Sequence, residues 1–226
     1  MSVLGEKRRR IQAVRLRALQ FTQSSSGRSY QLHPMEDLNN QSWQREDERG
    51  AFFVSTKPNL LDHDFINTAF EDPDMFWATR LPPDQLAKAL SQSVTVGLFE
   101  VKPAAPPCST TDEPSSPREG SPTTELPPRE ALQQIGLARL VTDHVTFAYL
   151  SDVYVTPTKR GLGLFPWLIE CVKELLRAHP ALRRAALLTG SESLSKFYAR
   201  ALGVWDMAEE PRVTIMCRKA FNADGA

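Results

Sequence analysis

The sequence has no CxxC pair, no apolar run near the length of a membrane helix, and no excess of charge of either sign. Each absence removes a class of function. The three cysteines, Cys108, Cys171 and Cys217, are odd in number and far apart, which disfavours a disulfide framework and a thiolate zinc site and points to a reducing compartment. The four histidines, His33, His63, His144 and His179, are scattered without helical spacing to another ligand, so no metal is expected. A bilayer span needs about 20 apolar residues, and no stretch approaches that, so a soluble chain with no membrane partner is expected. Lysine plus arginine and aspartate plus glutamate stand at 27 each, so no global field draws the chain to nucleic acid. No lysine followed by serine or threonine closes a P-loop, and GLGLFP lacks the third glycine of the dinucleotide fingerprint.

What is present, 226 residues of which 41% are hydrophobic, suits one α/β domain with some unstructured chain. The N-terminus carries Lys7, Arg8, Arg9, Arg10, Arg15, Arg17 and Arg28 against Glu6 alone. It reads as a disordered basic tail with an import-like cluster at 7–10, in a cytoplasmic or nuclear protein, or alternatively as an arginine-rich mitochondrial transit peptide. Residues 36–50 are polar and without periodicity, and a loop is expected, so 1–50 form an extension and 51–221 the domain, with a short tail at 222–226. Inside that domain, 102–129 is dense in proline, serine, threonine and glutamate, which cannot offset its ordering entropy by burial. A mobile loop between two strands is expected there, since loop closure grows only logarithmically with length.

The ordered elements follow from period and punctuation. Strands are expected at 51–55, 94–101, 135–142, 146–155, 184–189 and 212–219, and helices at 61–70, 82–93, 163–178 and 191–202. The informative stretch runs from Phe147 to His179. Ala148 and Leu150 share one face of an extended strand, whereas Val153 and Val155 sit at odd positions. One extra residue near Ser151 and Asp152 would align all four, which predicts a β-bulge that splays the strand from a neighbour. Next, Lys159, Arg160, Gly161, Leu162 and Gly163 form a basic glycine turn before an amphipathic helix led by Leu164 and Phe165. Free N–H groups and the positive end of the helix dipole would meet an anion there, with phosphate as the natural guest.

The turn Arg160-Gly161-Leu162-Gly163-Leu164-Phe165 resembles the pyrophosphate signature of the Gcn5-related N-acetyltransferase (GNAT) superfamily, with Phe165 where the pattern has a small residue. STKPNLLDHDFI, FWATRLPPDQL, FAYLSDVYV and FYARALGV extend the resemblance from about Ala51 to Phe221, towards a small microbial and fungal-type subgroup. The resemblance implies a mixed, mostly antiparallel sheet splayed at a central bulged strand and flanked by helices. It also implies acetyl-CoA as cosubstrate, an amine of a small molecule or peptide as acceptor, and a monomer or homodimer. Carried over residue by residue, it assigns Val153, Tyr154 and Val155 to the pantetheine arm and thioester carbonyl, and Arg160 to Phe165 to the pyrophosphate. Tyr198 would be the acid that protonates the leaving sulfur. Asp152 would be a base for the amine or a structural carboxylate, and Trp77 and Tyr149 would line the acceptor pocket or pack in the core. A non-catalytic acyl-CoA sensor or scaffold of the same fold is the alternative.

Overall fold

The computed structural model describes residues 38–102, 127–210, 214 and 216, and the chain divides after Leu187 into two compact units. Among the described residues, the first unit holds six strands: β1 (Ser42–Asp47), β2 (Gly50–Ser55), β3 (Ser93–Val101), β4 (Leu132–Thr142), β5 (Phe147–Val155) and β6 (Arg184–Leu187). Their order in the sheet is their order in the chain. The first four joints are antiparallel, and only β5 to β6 is parallel. That parallel joint needs a crossover, and helix α3 (Leu164–Arg177) lies within it. Helices α1 (His63–Phe70) and α2 (Pro83–Ser91) stand between β2 and β3. The second unit holds α4 (Glu192–Leu202), capped by the Ser191 hydroxyl at its start and by left-handed Gly203 at its end. The mixed, mostly antiparallel sheet with flanking helices is the one expected.

Residues 36–50 are not the expected loop, because β1 occupies 42–47. Its sequence SWQRED hides the strand: it is an edge, half-buried to exposed throughout, and so carries no apolar alternation. Helix α1 starts after Leu61, since the Asp62 carboxylate accepts from the Asp64 and Phe65 amides at 3.0 Å each and sets the N-cap. Pro82 and Pro83 open α2, where missing N–H groups leave no helical bond unmade. The N-terminal segment to residue 37 and the insertion from 103 to 126 lie outside the described residues. So does the strand expected at 212–219, apart from two isolated positions.

Cross-strand partners share a face of the sheet, so the registers sort the core into two sides. Leu137 lies opposite Tyr154, and both join Leu61, Ile66, Phe70, Met75 and Leu86 in one cluster that buries the apolar faces of α1 and α2. On the other side, Trp43, Val54, Leu98, Gly136 and Val155 form one continuous row of partners. Helix α3 buries Leu164, Leu168, Ile169, Cys171, Val172 and Leu175, and Trp43 Nε1 donates to Glu174 Oε2 on that helix at 2.9 Å.

Candidate active site

The bulge expected in β5 is present. Arg139 pairs with Ser151 and Leu137 with Tyr154, which leaves Ala138 opposite two residues, Asp152 and Val153. Asp152 takes a left-handed conformation with φ 52°, which costs a residue with a Cβ about 1–2 kcal/mol. Its surroundings hold it there. Arg139 Nε donates to Asp152 Oδ2 at 2.6 Å and the Ser151 hydroxyl to Oδ1 at 3.0 Å. Trp77 Nε1 adds a long contact to Oδ1 at 3.4 Å. The side chains of Arg139 and Asp152 are 20% and 6% exposed, so each is the main compensation for burying the other. The parity expected across the bulge agrees with the register, which puts Ala148, Leu150 and Val155 on the face of Thr142, Leu140 and Gly136, with Val153 two residues before Val155. Ala148, Leu150 and Val155 are buried and Val153 is half-buried, while Tyr154, on the opposite face beside Leu137, is buried against α1 and α2.

Among the described residues, β5 has no strand partner on its other edge from the same point. Its parallel pairing with β6 runs from Phe147 opposite Arg184 to Leu150 opposite Leu187 and ends one residue before Ser151. Beyond the bulge, the Thr156 amide bonds the Ile135 carbonyl on the β4 side at 2.9 Å. By strand alternation the backbone groups of Val153 and Val155 face the open edge. The Val155 carbonyl accepts Arg160 Nε at 3.0 Å.

The glycine turn follows directly. Gly161 and Gly163 have φ 77° and 73°, the left-handed region where glycine alone is unstrained. Gly163 is the N-cap of the 14-residue α3, no side chain caps it, and no acid stands in the first turn. The positive end of the helix and the glycine backbone meet an anion there, so a pyrophosphate suits the residues present. The basic side chains are engaged elsewhere: Lys159 Nζ meets Glu100 Oε1 at 2.7 Å, and Arg160 Nη1 meets Asp74 Oδ2 at 2.6 Å. The Arg160 guanidinium also lies over the Tyr154 ring at 5.9 Å, and the Tyr154 hydroxyl donates to Asp72 Oδ2 at 2.8 Å. Leu164 is buried in the core and Phe165 is half-buried at the second helical position.

Trp77, Tyr149 and Asp152 are brought together around the bulge. Trp77 is half-exposed and packs edge-on to Phe76 at 5.1 Å between ring centroids, so it is not a core residue. Tyr149 shares the face of Arg139 and Ser151 by register. Burial first, and then the Asp152 charge, push its hydroxyl above the usual value, while Arg139 opposes them. Tyr198 belongs to the second unit, on α4, where it is buried with its hydroxyl pushed up to about 12 by that burial. Sequence reasoning missed Arg139, Asp72, Asp74 and Arg45, whose Nη1 and Nη2 donate to the Gly163 and Leu162 carbonyls at 3.1 and 3.2 Å. Only an arginine facing a bulge on the next strand could have signalled the first. Among the described residues, no group of three or more histidine, cysteine, aspartate or glutamate side chains is placed to hold a metal ion.

No family profile matches the chain. Individual relatives do. A structure from Xanthomonas campestris pv. campestris, named as an acetyltransferase of the GNAT family, superposes with a TM-score of 0.50 at 28% identity, over 75% of this chain and 93% of that one. A protein of Gibberella zeae named as an acetyltransferase is 37% identical over 161 residues, which are 71% of this chain and 83% of the relative. With the bulged strand, the glycine turn and this degree of identity in agreement, the chain belongs to the GNAT acetyltransferases and is an enzyme of that family.

Proposed function

We propose that this enzyme transfers an acetyl group from acetyl-CoA directly to an amine of a small molecule or peptide. One observation carries the reading: β5 loses its β6 partner one residue before a left-handed bulge and then runs into an uncapped helix N-terminus. That sequence of features offers an extended arm open backbone groups and offers its phosphate end a set of amides. Acetyl-CoA supplies a thioester whose acyl carbon is open to attack by an amine. The Val153 amide, on the open edge, donates to the thioester oxygen as charge develops there, and Val153 to Val155 pair with the pantetheine arm. The amides from Gly161 to Phe165 hold the pyrophosphate, with Arg160 tying the turn to the Val155 carbonyl. Placing amine and thioester side by side supplies much of the acceleration.

Asp152 accepts the proton of the amine, directly or through water, while Arg139 and Ser151 fix its orientation. Tyr198 protonates the departing thiolate. A hydroxyl pushed up to about 12 keeps its proton at neutral pH, as that task requires. Trp77 and Tyr149 border the acceptor. Acetyl-CoA at a hundredfold excess over its dissociation constant should stabilise the fold by about 2.7 kcal/mol, read as a rise in Tm, and Arg160→Ala should shrink that rise. Mass spectrometry of an amine mixture incubated with enzyme and acetyl-CoA should reveal one acetylated product. No thermal shift and no product would reject the proposal.

A further inference from the structure

Arg45 belongs to the stretch expected to be a loop, yet it sits in β1 opposite Phe52, which in turn lies opposite Glu100. This register puts Arg45 on the α3 side of the sheet, two residues from Trp43, which also reaches α3. Its side chain is only 16% exposed. Nη1 donates to the Gly163 carbonyl at 3.1 Å and Nη2 to the Leu162 carbonyl at 3.2 Å. Nε and Nη2 both reach Asp47 Oδ2, at 3.1 and 2.7 Å.

In a planar trans peptide the carbonyl and the following N–H point in opposite directions. Holding the Leu162 carbonyl on the Arg45 side therefore turns the Gly163 N–H to the other side, and holding the Gly163 carbonyl does the same for the Leu164 N–H. Gly163, at φ 73° and without a Cβ, is where this turn is freest to flip a peptide plane. Asp47 pairs with the guanidinium and fixes its fork, which suits a clamp on carbonyls better than a direct ligand for phosphate. We infer that Arg45 is a positioning residue of the coenzyme A pyrophosphate site, which locks the peptide units 162–163 and 163–164 so that the Gly163 and Leu164 amides converge on the anion. The inference rests on the acetyl-CoA reading above.

The test is calorimetric titration of coenzyme A, and separately of pantetheine, which lacks the pyrophosphate, into the wild-type chain, Arg45→Met, Arg45→Lys and Asp47→Asn. Arg45→Met should weaken coenzyme A binding about tenfold, the scale of one or two charge-assisted hydrogen bonds, and leave pantetheine binding unchanged. Arg45→Lys, with a point charge that cannot span two carbonyls, should fall between Met and wild type. If Arg45→Met fails to fold, Asp47→Asn, which retains the arginine but loosens its fork, should still show a loss confined to coenzyme A. Equal losses for both ligands, or unchanged coenzyme A affinity in the folded variants, overturn the assignment while the acetyl-CoA reading stands. A wild-type chain that binds no coenzyme A overturns both.

Discussion

Asp152 and Tyr198 carry opposite halves of the proposed proton transfer, and substitutions can separate them. Tyr198→Phe keeps the buried ring and its edge-on contact with Phe197 but removes the hydroxyl. Turnover should fall about 10²-fold, the low end of general acid–base contributions, with acetyl-CoA affinity unchanged. Asp152→Asn should depress the rate most at neutral pH and progressively less at alkaline pH, where more of the amine is already deprotonated; kcat/KM followed from pH 7 to 9.5 checks this. A uniform loss across that range would remove the base role. Asp152 was legible because a carboxylate amid apolar strand residues is conspicuous. Its partner Arg139 was not, because an arginine in ARLV reads as the solvent face of a strand until the bulge opposite it is located. Arg45 was hidden further still, since its targets at Leu162 and Gly163 are more than a hundred residues away in sequence.

At the scale of elements, the β4–β5 pair sets the shape of the site, and Gly136 is its tightest point. A Cβ there would lie 2.6 Å from the Tyr154 carbonyl oxygen and 3.0 Å from Leu98 Cδ2. The nearer obstacle is main chain, which cannot swing aside as a side-chain tip can. Gly136→Ala should therefore lower the unfolding free energy by about 1–3 kcal/mol, the usual cost of overpacking, and reduce acetyl-CoA affinity by shifting the residues just past the bulge. Denaturant unfolding and calorimetry would measure the two effects. Strong periodicity made α3 and β5 legible to within a residue or two, and the parity change within β5 located its bulge. The start of β4 was placed three residues late because Leu132, Gln133 and Gln134 do not look like strand. Gln134 is nevertheless buried, its side chain accepting the Asp62 amide at 2.7 Å and donating to the Gly136 carbonyl at 3.3 Å. Polar residues with satisfied partners escape any reading based on hydrophobic pattern.

For the molecule as a whole, the β4–β5 turn supplies a pH dependence of stability. Burial, and next the charge of His179, lower the His144 pKa below 6.5, with Asp143 opposing them. A group depressed in the folded state binds its proton more readily when unfolded, so its contribution is complete above about pH 6.5 and is lost as pH falls through the folded value. Unfolding free energy should thus begin to decline as pH falls below 6.5, before the lowered carboxylates Asp47 and Asp72 titrate. His144→Asn, which tolerates the left-handed φ of 62° at that position, should flatten the decline; an unchanged slope would assign it to other groups. The sheet also has a doorway. Val101 faces Leu132 across β3 and β4, and the Lys102 amide bonds the Ala131 carbonyl at 2.7 Å, so the chain leaves and re-enters the sheet about 5 Å apart. A guest domain whose own ends lie side by side could be spliced in at that point, turning an acetyltransferase into a host for a fluorescent reporter with no change to the bulge, the glycine turn or the arginine behind it.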